Sequence, residues 1–201
     1  MNHRATDFWL AWGKTYKEQF DAALESRGQA FALQEQMLLD YLSGLKLDSV
    51  LEVGCGFGRI TKLVMERFNP KEYIAIDLSP DQLENARKYV NDDRVEFFNY
   101  SIEEFRCFPE KFDLVLACEV LMHIPPEDIV AVMYKMAMLA RKGGQIVHVD
   151  WYQQPVPQIA KDNFCFVHDY EKIYGPDWTV KRIEIGDIRQ SIFHAQLSKR
   201  I

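Results

Sequence analysis

Apolar and polar positions follow two rhythms along this chain, and the change between them divides it. Through residues 1–48 the apolar positions recur at helical spacing. Asp7 is suited to cap a segment carrying Phe8, Trp9, Trp12 and Tyr16, and Phe31, Gln34, Leu38, Tyr41 and Leu45 mark one mostly apolar face of a helix that Ser43-Gly44 ends. From residue 49 short apolar runs alternate with amphipathic stretches. Runs at 49–53, 73–77, 95–98, 112–117 and 145–149 predict strands, and 59–68, 80–90 and 126–140 predict helices. Asn69-Pro70 stops the first of these helices, Ser79-Pro80 opens the second and Lys142-Gly143-Gly144 ends the third. The strand runs are mostly apolar, as in strands buried on both faces. This alternation predicts a doubly wound α/β fold with a mostly parallel sheet. Beyond residue 150 the rhythm breaks: 151–175 is irregular, and 179–185 with 191–197 predict an antiparallel hairpin turning at Gly186-Asp187. The expected organisation is a helical N-terminal cap, 1–48, on a ligand-binding domain, 49–201, within one structural domain.

Composition narrows the class. With 201 residues and 48% hydrophobic positions the chain can fill a sizeable core. No apolar run approaches the ~20 residues that span a bilayer, and no signal-peptide core follows the first residues, so no membrane is expected and the expected location is cytoplasmic. Cys55, Cys107, Cys118 and Cys165 form no Cys-x-x-Cys pair, which predicts neither a metal site nor a disulfide framework. The net charge of −6, without a basic stripe, disfavours nucleic acid and suits a small-molecule partner.

The chemistry is concentrated in Leu51-Glu52-Val53-Gly54-Cys55-Gly56-Phe57-Gly58-Arg59. This reads as a strand entering a glycine turn that opens a helix, the place where open α/β sheets bind nucleoside ligands. A dinucleotide turn needs its third glycine where Arg59 stands, and Glu52 would oppose a pyrophosphate. A carboxylate there suits an ammonium group instead. Asp77, ending the second strand, can accept from two ribose hydroxyls. The implied ligand is a ribonucleoside with a cationic amino end and no phosphate, which S-adenosylmethionine fits.

Over residues 49–150 the chain resembles the class I S-adenosylmethionine-dependent methyltransferases. The resemblance is carried by the glycine turn, by Ala75-Ile76-Asp77-Leu78-Ser79-Pro80, by Phe112-Asp113-Leu114-Val115-Leu116 followed by Glu119-Val120-Leu121-Met122-His123-Ile124, and by Leu139-Ala140-Arg141-Lys142-Gly143-Gly144. It implies a Rossmann-like methyltransferase fold of seven strands in the order 3-2-1-4-5-7-6, and methyl transfer from S-adenosylmethionine that leaves S-adenosylhomocysteine. It also implies the cofactor contacts: Gly54, Cys55, Gly56 and Gly58 at the turn, Glu52 toward the amino group, Asp77 on the ribose. Leu78, Gln82, Ser101 and Ile102 would lie around the adenine, and Cys118 and Glu119 near the methionine moiety. Many family members carry Asp where Ser101 stands.

The acceptor side is read from the segments beyond the strands. His123, before Pro125-Pro126, is the candidate general base, whereas His148 reads as a core histidine. Tyr16, Asp150, Trp151 and His168 are the candidate substrate contacts, within aromatic clusters (Phe8, Trp9, Trp12, Tyr16; Trp151, Tyr152, Phe164, Phe166, Tyr170, Tyr174) suited to wall a pocket. A small acceptor is expected, with a hydroxyl favoured over an amine. Two other readings stand beside this one: a non-catalytic S-adenosylmethionine-binding scaffold or partner subunit, and a nicotinamide dehydrogenase, which Arg59 and Glu52 disfavour.

Overall fold

A computed structural model describes residues 3–152 and 165–197 of the chain. Two helices, α1 (His3–Gly13) and α2 (Tyr16–Leu42), precede β1 (Ser49–Val53), α3 (Arg59–Phe68), β2 (Glu72–Asp77), α4 (Pro80–Val90), β3 (Val95–Asn99) and β4 (Phe112–Cys118). A 3₁₀ turn (Leu121–His123), α5 (Ile129–Leu139), β5 (Ala140–Trp151), α6 (Tyr170–Tyr174), β6 (Trp178–Glu184) and β7 (Gln190–Leu197) follow. The strands form one seven-stranded sheet in the expected order, β3-β2-β1-β4-β5-β7-β6. The first five strands are parallel, and β7 runs antiparallel to both β5 and β6.

Strand alternation sorts the core into two layers. Val50, Leu114 and Leu116 face Leu38 and Leu42 of α2, Ile60 and Val64 of α3, and Leu83 of α4. Leu51, Val53, Val115 and Ala117 face Ile129, Val132 and Met136 of α5, with Tyr170 and Tyr174 of α6. Local chemistry sets the helix ends. Ser79 Oγ accepts the Gln82 N–H at 3.3 Å, Pro80 opens α4, and Asn69 and Asn91 close α3 and α4 in the left-handed region.

Three boundaries depart from expectation. The first helix already begins at His3, so Asp7 lies within α1 and does not cap it. The helix predicted from residue 126 starts at Ile129, after a turn in which the Asp128 and Ile129 N–H groups both bond to the Pro125 carbonyl. The strand predicted from residue 145 starts at Ala140, which pairs with Phe112. The register then jumps so that Gln145 pairs with Leu114. Arg141 pairs with the buried Asp113 inside this bulge, and a Cβ on Gly144 would lie 2.7 Å from the Phe112 carbonyl oxygen. The Lys142-Gly143-Gly144 stretch is therefore a bulge within a strand and not the helix stop expected of it, since α5 already ends at Leu139. Of the aromatic clusters, Phe164 lies outside the described residues.

Candidate active site

A cavity of about 430 Å³ opens at the C-terminal ends of β1, β2 and β4, beneath α1 and the start of α2. Glu52, Gly54, Cys55, Gly56, Asp77, Leu78, Gln82, Ser101, Ile102, Cys118 and Glu119 all line it, as do Tyr16, His123 and Trp151.

At the turn, the Asp77 carboxylate accepts the Gly56 N–H and the Ser79 N–H, each at 2.8 Å. It thereby ties the glycine turn to the start of α4. A Cβ on Gly56 would meet nothing closer than Gln82 Oε1 at 4.0 Å, so the backbone there faces open space that a ligand can occupy. Gly58 behaves differently. It has φ 88 and does not line the cavity; a Cβ there would lie 2.6 Å from Val90 Cγ2. The expectation that Gly58 contacts the cofactor is corrected: this glycine lets α3 pack closely on α4.

Gln82 donates through Nε2 to the Gly13 carbonyl of α1, while its Oε1 is buried with no partner among the described residues. An orphaned buried acceptor costs about 1–3 kcal/mol until a donor fills it, and an adenine amino group is such a donor. Asn99, which the sequence reading missed, donates to the Asp77 and Leu78 carbonyls at 3.0 and 2.9 Å and holds that strand end.

Glu52 is 2% exposed, and its Oε2 accepts from the Thr61 hydroxyl at 2.5 Å and the Tyr73 hydroxyl at 2.7 Å. Burial outweighs these bonds and pushes its carboxyl from the ordinary 4.5 up to about 7. A raised folded-state value means stability that is complete below pH 4.5 and lost as pH rises through about 7. The loss is on the order of 3 kcal/mol. Glu52→Gln is expected to remove this slope: thermal unfolding of the ligand-free protein should show the variant gaining on wild type between pH 5 and pH 8. Parallel pH profiles for the two proteins would refute it.

Arg59 is the largest omission of the sequence reading. Its side chain, 12% exposed, pairs with Glu35 at 2.7 Å and Glu119 at 3.2 Å. The guanidinium also donates to Gln34 Oε1 at 2.9 Å; Gln34 Nε2 donates to Gln190 Oε1 at 2.7 Å; Gln190 Nε2 donates to Glu119 Oε1 at 2.7 Å. Four side chains from α3, α2, β7 and the exit of β4 thus close a hydrogen-bonded ring at the cavity floor. Glu119 sits in it at φ 59, a left-handed backbone held by its N–H bond to the Val149 carbonyl at 2.8 Å. The available signal was Gln34, a polar residue at the centre of an apolar helix face.

Aromatic side chains build the other end of the cavity. The Trp9 ring packs on His123 with centroids 4.2 Å apart, and Cys165 Sγ lies 3.5 Å from His123 Nδ1. Trp9 Nε1–H is buried without a partner among the described residues. Tyr16 stands between Trp12 and Phe57, and burial together with the nearby Glu119 charge raises its phenol well above the usual range.

Two expected substrate contacts lie elsewhere. Asp150 is fully buried, accepts the Met122 N–H at 2.9 Å, and lies 2.7 Å from His148 Nδ1. Strand alternation sends it to the same side as His148, under α6, while Trp151 next to it reaches the cavity. His168 is 8% exposed and bonds through Nε2 to the Ile124 carbonyl at 3.0 Å, facing a separate recess beside Arg182. Among the described residues no cluster of His, Cys, Asp and Glu could hold a metal ion, and no helix is long and apolar enough to cross a membrane.

Comparison with known proteins places this geometry. A family model described as "Methyltransferase domain" matches residues 50–144. The malonyl-[acyl-carrier protein] O-methyltransferase of Acetivibrio thermocellus is 39% identical over 90 residues, 42% of this chain and 31% of its own. The ubiquinone biosynthesis O-methyltransferase of Alkalilimnicola ehrlichii is 30% identical over 142 residues, 64% of this chain and 56% of its own. This chain spans 25% to 62% of the length of the first five curated relatives it matches, all malonyl-[acyl-carrier protein] O-methyltransferases. Among solved structures the DhpI–SAH complex superposes with a TM-score of 0.79 at 17% identity, covering 100% of both chains. The seven-strand order and the family model agree: over residues 50–144 the chain carries a class I S-adenosylmethionine-dependent methyltransferase domain.

Proposed function

We propose that this protein transfers a methyl group from S-adenosylmethionine to a hydroxyl of a small-molecule acceptor, in the cytoplasm, with residues 1–48 acting as the cap over a catalytic domain of residues 49–201. One observation carries the reading: a cavity runs from Asp77 and Gln82 Oε1 to His123 and the Trp9 N–H, both Gln82 Oε1 and the Trp9 N–H being buried without a partner among the described residues. Bound S-adenosylmethionine supplies a methyl group already activated by its sulfonium, so the protein's task is alignment and proton removal.

In this proposal Asp77 receives the ribose hydroxyls, Gln82 with Leu78, Ser101 and Ile102 borders the adenine, and Glu52, Cys118 and Glu119 line the methionine end. Trp9, Trp12, Tyr16 and Trp151 wall the acceptor. The buried indole N–H favours an acceptor with a lone pair on oxygen, and His123 takes the hydroxyl proton.

Calorimetric titration with S-adenosylhomocysteine tests the donor half. Micromolar binding is expected, and Asp77→Ala should weaken it about 10- to 100-fold through lost charge-assisted hydrogen bonds. Wild-type protein that does not bind would end the reading. Methyl-labelled S-adenosylmethionine offered with catechol, a primary amine and a carboxylic acid tests the acceptor half. Label in the amine alone would overturn the hydroxyl assignment, and binding without transfer to any of the three would favour the scaffold reading.

A further inference from the structure

We propose that Asp150 and His168, which do not line the cavity, are positioning residues: together they clamp the 3₁₀ turn Leu121–His123 and so fix the His123 imidazole. This rests on the reading of His123 as the acceptor-side base. Within the turn the His123 N–H donates to the Val120 carbonyl at 2.9 Å and the Ile124 N–H to the Leu121 carbonyl at 3.1 Å. The residues flanking His123 are held from outside. The Met122 N–H donates to Asp150 Oδ1 at 2.9 Å. The Ile124 carbonyl accepts from His168 Nε2–H at 3.0 Å. Between these, the Phe166 N–H donates to the Met122 carbonyl at 2.6 Å.

Both clamps are themselves fixed. Asp150 is pinned through its second oxygen to His148 Nδ1, whose ring stacks on Phe193 at 4.9 Å with planes 10° apart. His168 rests edge-on against Tyr170, with centroids 5.5 Å apart. Met122, Asp150 and His168 are 6%, 0% and 8% exposed, so solvent cannot take over the lost bonds cheaply. A base must sit within about 0.5 Å of its productive place to act, and side chains on loops achieve this only through such supporting bonds.

Nuclear magnetic resonance of ¹⁵N-histidine-labelled protein loaded with S-adenosylhomocysteine tests the clamp, His123→Ala assigning one of the five histidine signal sets. In His168→Leu the His123 signals are expected to move or broaden, while affinity for S-adenosylhomocysteine stays within about twofold, as for a site that does not couple to the ligand. His168→Gln, whose amide N–H can reach the same carbonyl, should restore them. Asp150→Asn, whose Oδ1 still accepts the Met122 N–H, should resemble wild type, and Asp150→Leu should resemble His168→Leu. Unmoved His123 signals in folded His168→Leu, failure of His168→Gln to restore them, or a parallel loss of affinity would overturn the clamp. No acceptor enters this measurement. Intact methyl transfer in His123→Ala would therefore remove the base and not the clamp, whereas lost transfer there with unmoved signals in His168→Leu would remove the clamp alone.

Discussion

Replacing His123 with alanine is expected to slow methyl transfer to a hydroxyl acceptor by about 10²- to 10⁴-fold at saturating cofactor, the usual worth of a positioned general base. Affinity for S-adenosylhomocysteine should hardly change, because the ring lies at the Trp9 end of the cavity and the donor groups lie at the Asp77 end. The loss should appear in the chemical step of single-turnover experiments with catechol as acceptor. It should be absent for an amine that arrives already deprotonated, since that nucleophile gives its lone pair without help. Equal single-turnover rates for wild type and variant would dismiss His123 as the base. Loss of cofactor affinity in step with rate would instead show that the ring supports the whole cavity.

Arg59→Met is expected to destabilise the fold by about 3–5 kcal/mol, the cost of leaving charges partly buried without their partner. The guanidinium is 12% exposed; without it the Glu119 carboxylate, 16% exposed, keeps the Gln190 amide as its side-chain partner among the described residues, and Glu35 loses its ion pair. Marginal stability makes this a large share of the total, and thermal unfolding should fall by about 10 °C or more. Adding Glu119→Gln to Arg59→Met should recover part of the loss, because it removes the stranded charge and keeps a hydrogen-bonding group in the ring. A variant within about 1 kcal/mol of wild type would show that the ring is worth no more than a surface ion pair.

Different parts of the molecule were legible in the sequence to different degrees. The core strands were, because a strand buried on both faces must be mostly apolar, and 112–117 is apolar at every position but Asp113. The glycine turn was, because its residues are adjacent and only glycine leaves the backbone at position 56 open to a ligand. The fifth strand was misjudged at its start, since Arg141 and Lys142 look like solvent residues until Asp113, distant in sequence, supplies the partner that draws Arg141 to the sheet.

The chain by itself determined the doubly wound fold, the place of the glycine turn and the family, because these rest on local periodicity and on residues close together in sequence. Tertiary structure decided which of the polar residues near that turn face the cavity. Asp150 and Trp151 are neighbours, yet strand alternation turns one under α6 and the other toward the cavity. Arg59 and Gln34 meet Gln190 only because α2, α3 and β7 converge at one edge of the sheet. Gly58, which looks like part of a binding turn, is held to packing by Val90. The physical reason is the same in each case: a side chain's role depends on what desolvates it and what pairs with it, and those partners come from segments whose approach no local pattern encodes.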